Sequence, residues 1–317
     1  MIWLKRSAIA FVASLTVIIV LDKLFPQPIE RGRVVSVMIS DRDDRPLRAI
    51  PLTNGTWRFA ADLDEIDPIF VEALLEVEDK RFWSHGGTDW VGMIRAVTSS
   101  ASAGRVVSGG STITMQTARL LEPRPNRTIG AKLIEIVRAH QIEWRLSKRE
   151  ILELYLTMTP YGGNLEGIRA ASWRYFGRAP DRLSDDQIAL LIALPQSPEV
   201  RRPDLRPEGA RKGRDSIVAK LERLGYFPEH RADEARTAFI PGRQYAFPAR
   251  AWHATENAAG DRDRDVRSTI DAGLQGELEH LAKRYVSELD TETQTSIIVV
   301  DIPTRAVRAA VGSADRN

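Results

Sequence analysis

The chain has 317 residues, with 45 Lys and Arg against 43 Asp and Glu, 43% hydrophobic residues and no cysteine. At about 150 residues per domain, that length suggests two domains with a sizeable core. A formal net charge of +2 with both signs interspersed gives no broad basic field that would capture nucleic acid. The missing cysteines rule out disulfides, thiolate metal sites and cysteine nucleophiles.

Lys5 and Arg6 precede an uncharged apolar run from Ser7 to Leu21, interrupted by Asp22 and Lys23 and closed by Leu24, Phe25 and Pro26. The run is shorter than the span of about 20 apolar residues that a membrane helix needs, and its length suits the core of a cleaved signal. No small-x-small cleavage pattern follows it, however, and Leu24 and Phe25 extend the apolar stretch while Lys23 snorkels. The reading taken is an uncleaved transmembrane anchor over residues 1–25, with a cleaved signal as the alternative. The basic flank then stays in the cytoplasm and everything after residue 25 is exported.

Residues 26–60 read as a small β element, with turn chemistry in SDRDDRPL and at Asn54-Gly55. From Asp67 the period changes. Asp67 can cap, Pro68 suits a first helical position, and Ile69, Phe70, Ala73, Leu74 and Val77 share a face. Ser147 to Glu150 and Ser184 to Gln187 are capping boxes before apolar runs, which predicts two further helix starts. The stretch 61–225 is therefore a mainly helical body. Residues 226–265 read as a linker. From 266 a helical segment, LQGELEHLAKRYVSEL, precedes two strands joined at Pro303-Thr304.

Three clusters could carry chemistry. In EVEDKRFWSHGGTDW, residues Glu78, Asp79, His85 and Asp89 crowd a helix end beside Phe82 and Trp83. They read either as general acid–base groups or as solvated acids at a helix terminus. In SGGSTITMQTAR, Gly109 and Gly110 precede Ser111 and Thr112, with Gln116 and Arg119 at helical spacing. This is either an anion site or a plain capped helix, and it is not a Walker loop. In AKLIEIVRAHQIEWRL, a stripe of Leu133, Ile136, Val137, His140 and Trp144 predicts a buried face. Lys132 and Glu135 share a helical side and could be a surface ion pair, and Glu143 reads as solvated.

Taken in order, these segments resemble the peptidoglycan glycosyltransferase family, the N-terminal catalytic domain of bifunctional penicillin-binding proteins. The family's EDxxFxxHxG matches Glu78, Asp79, Phe82, His85 and Gly87, and its GxSTxxxQxx[KR] matches Gly109, Ser111, Thr112, Gln116 and Arg119. RKxxE matches Lys132 and Glu135, with Ala131 in place of arginine. KxxILExYLN matches Lys148, Ile151, Leu152, Glu153, Tyr155 and Leu156, with Thr157 in place of asparagine. ALLxxLPxxP matches Ala189 through Pro198. GGSTITMQTARLL, TPYGG and LPQSPEVRRPD resemble the 1C branch.

The resemblance implies a mainly α, lysozyme-like domain with a membrane-facing jaw, which polymerises lipid II into glycan strands outside the cytoplasmic membrane. It implies Glu78 as general base on the acceptor hydroxyl and Glu135 as the second carboxylate. Asp79, His85, Ser111, Thr112, Gln116, Arg119, Lys132 and Lys148 are the implied substrate-binding residues. The expected partners are lipid II, the growing strand, the cytoplasmic membrane and other wall-synthesis proteins. No cofactor is required, Mg or Mn on the pyrophosphate is compatible, and no metal-ligand cluster is visible. Residues 266–317 resemble the incomplete start of an α/β transpeptidase domain. No Ser-x-x-Lys occurs among the 317 residues, so acylation by penicillin is not expected of them. The departures Ala131 and Thr157 keep a second expectation open, a catalytically weak lipid II-binding or scaffold protein.

Overall fold

A computed structural model of the chain describes residues 22–94, 110–124, 128–256, 265–289 and 293–313. The anchor expected over 1–25 lies, apart from residues 22–25, outside the described residues, as does Gly109. Among the described residues no helix is long and apolar enough to cross a membrane. By internal contacts the chain divides into two units. One gathers the residues up to Gly32 with Val71–Met158, and the other joins Arg33–Phe70 to everything from Thr159 onward.

The first four long helices start at capping residues. Helix α1 covers Pro68–Glu78, and Asp67 accepts from the Ile69 amide at 2.9 Å. Helix α2 covers Ile113–Leu121, with the Thr112 hydroxyl as its N-cap. Thr128 caps α3, Ile129–Glu143. Helix α4, Lys148–Met158, opens on a capping box in which the Ser147 amide donates to Glu150 at 2.7 Å and the Glu150 amide to the Ser147 hydroxyl at 3.3 Å.

In the first unit α2 packs on both α3 and α4. Ile113, Met115, Ile142, Ile151, Leu152 and Leu156 are fully buried there, which supplies the apolar area that holds three short helices together. A single helical turn, Glu30–Arg33, joins them through Gly32, where a Cβ would lie 2.2 Å from Leu154 Cδ1. Only a bare backbone fits that approach.

The second unit begins with the hairpin β1 (Val37–Ser40) and β2 (Pro46–Ile50), then β3 (Trp57–Arg58). Strand β3 pairs in parallel with β5 (Leu165–Glu166), which pairs with β4 (Pro160–Gly162). Arg58 is buried and donates to Glu166 at 2.6 Å across β3 and β5. Helices α5 (Ile168–Phe176), α6 (Asp185–Ala193) and α7 (Pro207–Arg223) follow, α6 opening on the predicted Ser184–Gln187 capping box. The segment assigned to a linker contains α8 (Glu229–Thr237), packed on α7, and Phe247, which stacks on Trp57 at 4.1 Å.

Strand β6 (Val266–Arg267) runs parallel to β1, so the sheet order is β2-β1-β6. The opening of the C-terminal stretch is thus hydrogen-bonded to the early β element, and the Asp265 carboxylate reinforces this by accepting from the Met38 amide at 3.1 Å. Helix α9 (Ala272–Ser287) then packs on β8 (Val307–Val311), the antiparallel partner of β7 (Ile297–Val300). That is the predicted helix followed by two strands.

Candidate active site

The first cluster is tied to α2 through Glu78, Asp79 and the Gly87 carbonyl. Glu78 ends α1, and the Gln116 amide of α2 donates to its carboxylate at 3.1 Å. Asp79 is buried. Both its oxygens lie 3.0 Å from His85 Nε2, and one also accepts from the Ile113 amide at 2.9 Å. A carboxylate at a helix N-terminus meets the positive end of the macrodipole, so Asp79 is held by field as well as by hydrogen bond. The other ring nitrogen of His85, Nδ1, is buried without a partner.

Two residues later the chain turns at Gly87, whose φ is +91° and whose Cβ position lies 3.1 Å from the Ala139 backbone of α3. Its carbonyl accepts from the Thr112 hydroxyl at 2.6 Å, while that hydroxyl accepts from the Met115 amide at 3.1 Å. Thr112, expected as a substrate donor, therefore has its proton engaged inside the protein. Ser111 beside it is half-buried. Arg81 closes the loop on Asp89. Burial would raise the Asp89 carboxyl, but the Gly92 amide and the Arg81 guanidinium outweigh it and hold it below the usual carboxylate range.

On α3 the outcome differs from the sequence reading. Leu133, Val137 and Trp144, expected to be buried, are 60%, 60% and 59% exposed, and the buried positions are Ala139, Gln141 and Ile142. His140, expected in the core, is half-buried, with Nδ1 3.0 Å from the Ile136 carbonyl of its own helix. Periodicity finds an apolar face without saying what covers it, and α2 packs on another side of α3. Lys132 is exposed and Glu135 half-buried. They form no ion pair with each other, and neither side chain has a hydrogen bond or ion pair with a described residue. Arg119, half-buried in the last turn of α2, is likewise unpaired.

Glu143 is a further correction. Expected to be solvated, its side chain is 11% exposed and accepts from Lys148 Nζ and from the Thr114 hydroxyl, both at 2.7 Å. Its partners lie on two other helices, out of reach of any spacing rule within α3. Lys148 Nζ also sits 4.5 Å above the Phe82 ring. Of the two departures from the family motifs, Ala131 is half-buried in the first turn of α3, and Thr157 is buried with its hydroxyl donating to the Glu153 carbonyl at 2.7 Å. Among the described residues no group of three or more His, Asp or Glu side chains is placed to hold a metal.

The Transglycosylase family model matches residues 43–222. The chain is similar to penicillin-binding protein 1C of Escherichia coli K12, at 39% identity over 93% of this chain and 38% of that protein. It is also similar to penicillin-binding protein 1A of Aquifex aeolicus, at 38% identity over 56% and 24%, and of Escherichia coli K12, at 35% over 60% and 22%. A 2.6 Å crystal structure of penicillin-binding protein 1A from Haemophilus influenzae aligns over 80% of this chain and 30% of its own, at 15% identity and a TM-score of 0.37, too low to add to the sequence matches. The chain spans about two fifths or less of the length of these curated relatives. With the family's match covering more than half of its residues, the chain belongs to the transglycosylases, the peptidoglycan glycosyltransferase family of penicillin-binding proteins.

Proposed function

We propose that the protein polymerises lipid II into β-1,4 glycan strands, with Glu78 as general base on the 4-hydroxyl of the acceptor sugar and undecaprenyl pyrophosphate as the leaving group. The observation that carries this reading is the 3.1 Å hydrogen bond from the Gln116 amide to Glu78, which joins two family motifs at one carboxylate. A sugar hydroxyl is a weak acid, and a positioned base contributes about 10²–10⁴-fold to its attack on an anomeric carbon. Glu78 suits that task because the end of α1 and Gln116 together orient it. A pyrophosphate leaves without a proton if cations take up its charge. Arg119 and Lys132, whose side chains are unpaired among the described residues, are suited to that role, with Glu135 on the same side of α3 as Lys132.

The same reading makes this a bacterial single-pass protein of the cytoplasmic membrane, acting on the periplasmic or extracellular side. Lipid II, the growing strand and other wall-synthesis proteins would be its partners. Support comes from Ile129, Leu133 and Val137, spaced four apart on α3 and each at least 60% exposed, with Trp144, Trp90 and Ile94 also more than half exposed on that unit. Such apolar surface, with tryptophan among it, suits contact with lipid. The donor set of the described residues does not form a resident metal site. Mg or Mn would then act on the substrate's pyrophosphate, and no step is assigned to it.

A second reading, a lipid II binder with weak catalysis, draws on Ala131, which brings no cation, and on Thr157, whose hydroxyl proton is spent on its own helix. Polymerisation of lipid II in detergent, with the family inhibitor moenomycin as control, separates the two. Glu78→Gln should abolish polymer while leaving the circular dichroism spectrum unchanged, and an active variant would remove Glu78 from the mechanism. Binding of lipid II without polymer by the unmodified protein would select the second reading.

A further inference from the structure

We propose that Glu143 is a positioning residue for this reaction, acting through Lys148 on the turn that follows Glu78; the inference rests on the polymerase reading above. One oxygen of Glu143 accepts from both the Thr114 hydroxyl and Lys148 Nζ. Lys148 in turn lies against the face of Phe82, which is fully buried and edge-on to His85 at 6.3 Å. The Phe82 amide donates to the Asp79 carbonyl at 2.9 Å, one residue after Glu78. A single carboxylate thereby joins α2, the end of α3, the start of α4 and the segment that carries the base.

The pair also divides the labour among the three candidate cations. Lys148 is 20% exposed and its charge is balanced inside the protein, whereas the side chains of Arg119 and Lys132 have no partner among the described residues. A buried ion pair is a weak source of net stability, because desolvation offsets most of the attraction, but it holds its partners in one geometry. Lys148 therefore acts inward, on Phe82, and the charge of the leaving group falls to the other two.

Steady-state polymerisation of lipid II by the full chain, Glu143→Gln, Lys148→Met and the double variant tests this, well below each melting temperature. Each single change should lower kcat by about 10²-fold, the loss expected when a catalytic group shifts by about an ångström. KM for lipid II should stay within about threefold, and the double variant should be no worse than either single one. A loss confined to KM would make Lys148 a substrate ligand and overturn the proposal, as would additive losses or an unchanged kcat. If Glu143→Gln does not fold, Thr114→Val removes one bond to the same oxygen and keeps the ion pair. It should cost kcat severalfold at constant KM, and an unaltered kcat would sink the idea. An unmodified protein that makes no polymer overturns the function reading itself, and this inference with it.

Discussion

Helices α2 and α3 pack against each other in one unit, yet they use their side chains in opposite ways. On α2 and its cap, Thr112, Thr114 and Thr117 are all buried, and each donates inward, to Gly87, Glu143 and Ile113 respectively. On α3, Ile129, Leu133 and Val137 are exposed, and the side chains of Lys132 and Glu135 are paired with none of the described residues. Leaving a buried hydroxyl unbonded costs about 1–3 kcal/mol, and these three avoid that cost by donating inside the protein. An exposed apolar face and unanswered charges are instead what a surface offers to something outside the chain. On the proposed function, the first helix shapes the site and the second presents it.

Substitutions on either side should break that contrast if it is wrong. The largest effect is expected at Gly87, where any other residue meets both a φ of +91° and the Ala139 backbone at 3.1 Å. Gly87→Ala should cost about 2–3 kcal/mol in denaturant unfolding, and a near-neutral result would mean that the turn is not held by α2 and α3. On the presenting side, Leu133→Ser with Val137→Ser should leave the melting temperature unchanged. Polymerisation of lipid II in vesicles should fall about tenfold relative to detergent, since two apolar side chains would no longer leave water. Equal losses in vesicles and detergent would show that this face does not meet lipid.

The smallest effect is expected at Asp89. Its carboxyl is held below the usual range, so its stabilisation is complete above the unfolded value of about 4 and is lost as pH falls through the lower folded value. Asp89→Asn should therefore lower the melting temperature by a few degrees at pH 7, with the gap to the unmodified protein closing in acid. A gap that persisted at low pH would remove Arg81 and the Gly92 amide as its cause.

Local chemistry made the helix starts legible. Asp67 with Pro68, Ser147 with Glu150 and Ser184 with Gln187 act within a few residues, and all three lie at the helix starts they predict. The hairpin before residue 60 and the helix with two strands after 266 were readable for the same reason. What could not be read is the pairing of β1 with β6, whose partners lie more than 200 residues apart in the chain. The apolar stripe of α3 was visible and its burial misjudged, because a period reports a face and not its neighbour. Glu143 looked solvated because a five-residue spacing across a helix break matches no rule for ion pairs along one helix.

By itself, then, the sequence determined the family, the candidate base and three helix starts, since ordered motifs and capping residues act over short distances. Only the tertiary structure decided which polar groups are consumed inside the protein and which are left facing outward. Thr112, Lys148 and Glu143 went one way, Arg119, Lys132 and Glu135 the other. That division depends on which helices meet, and a hydroxyl or a charge is available to a substrate only where packing has supplied it with no other partner.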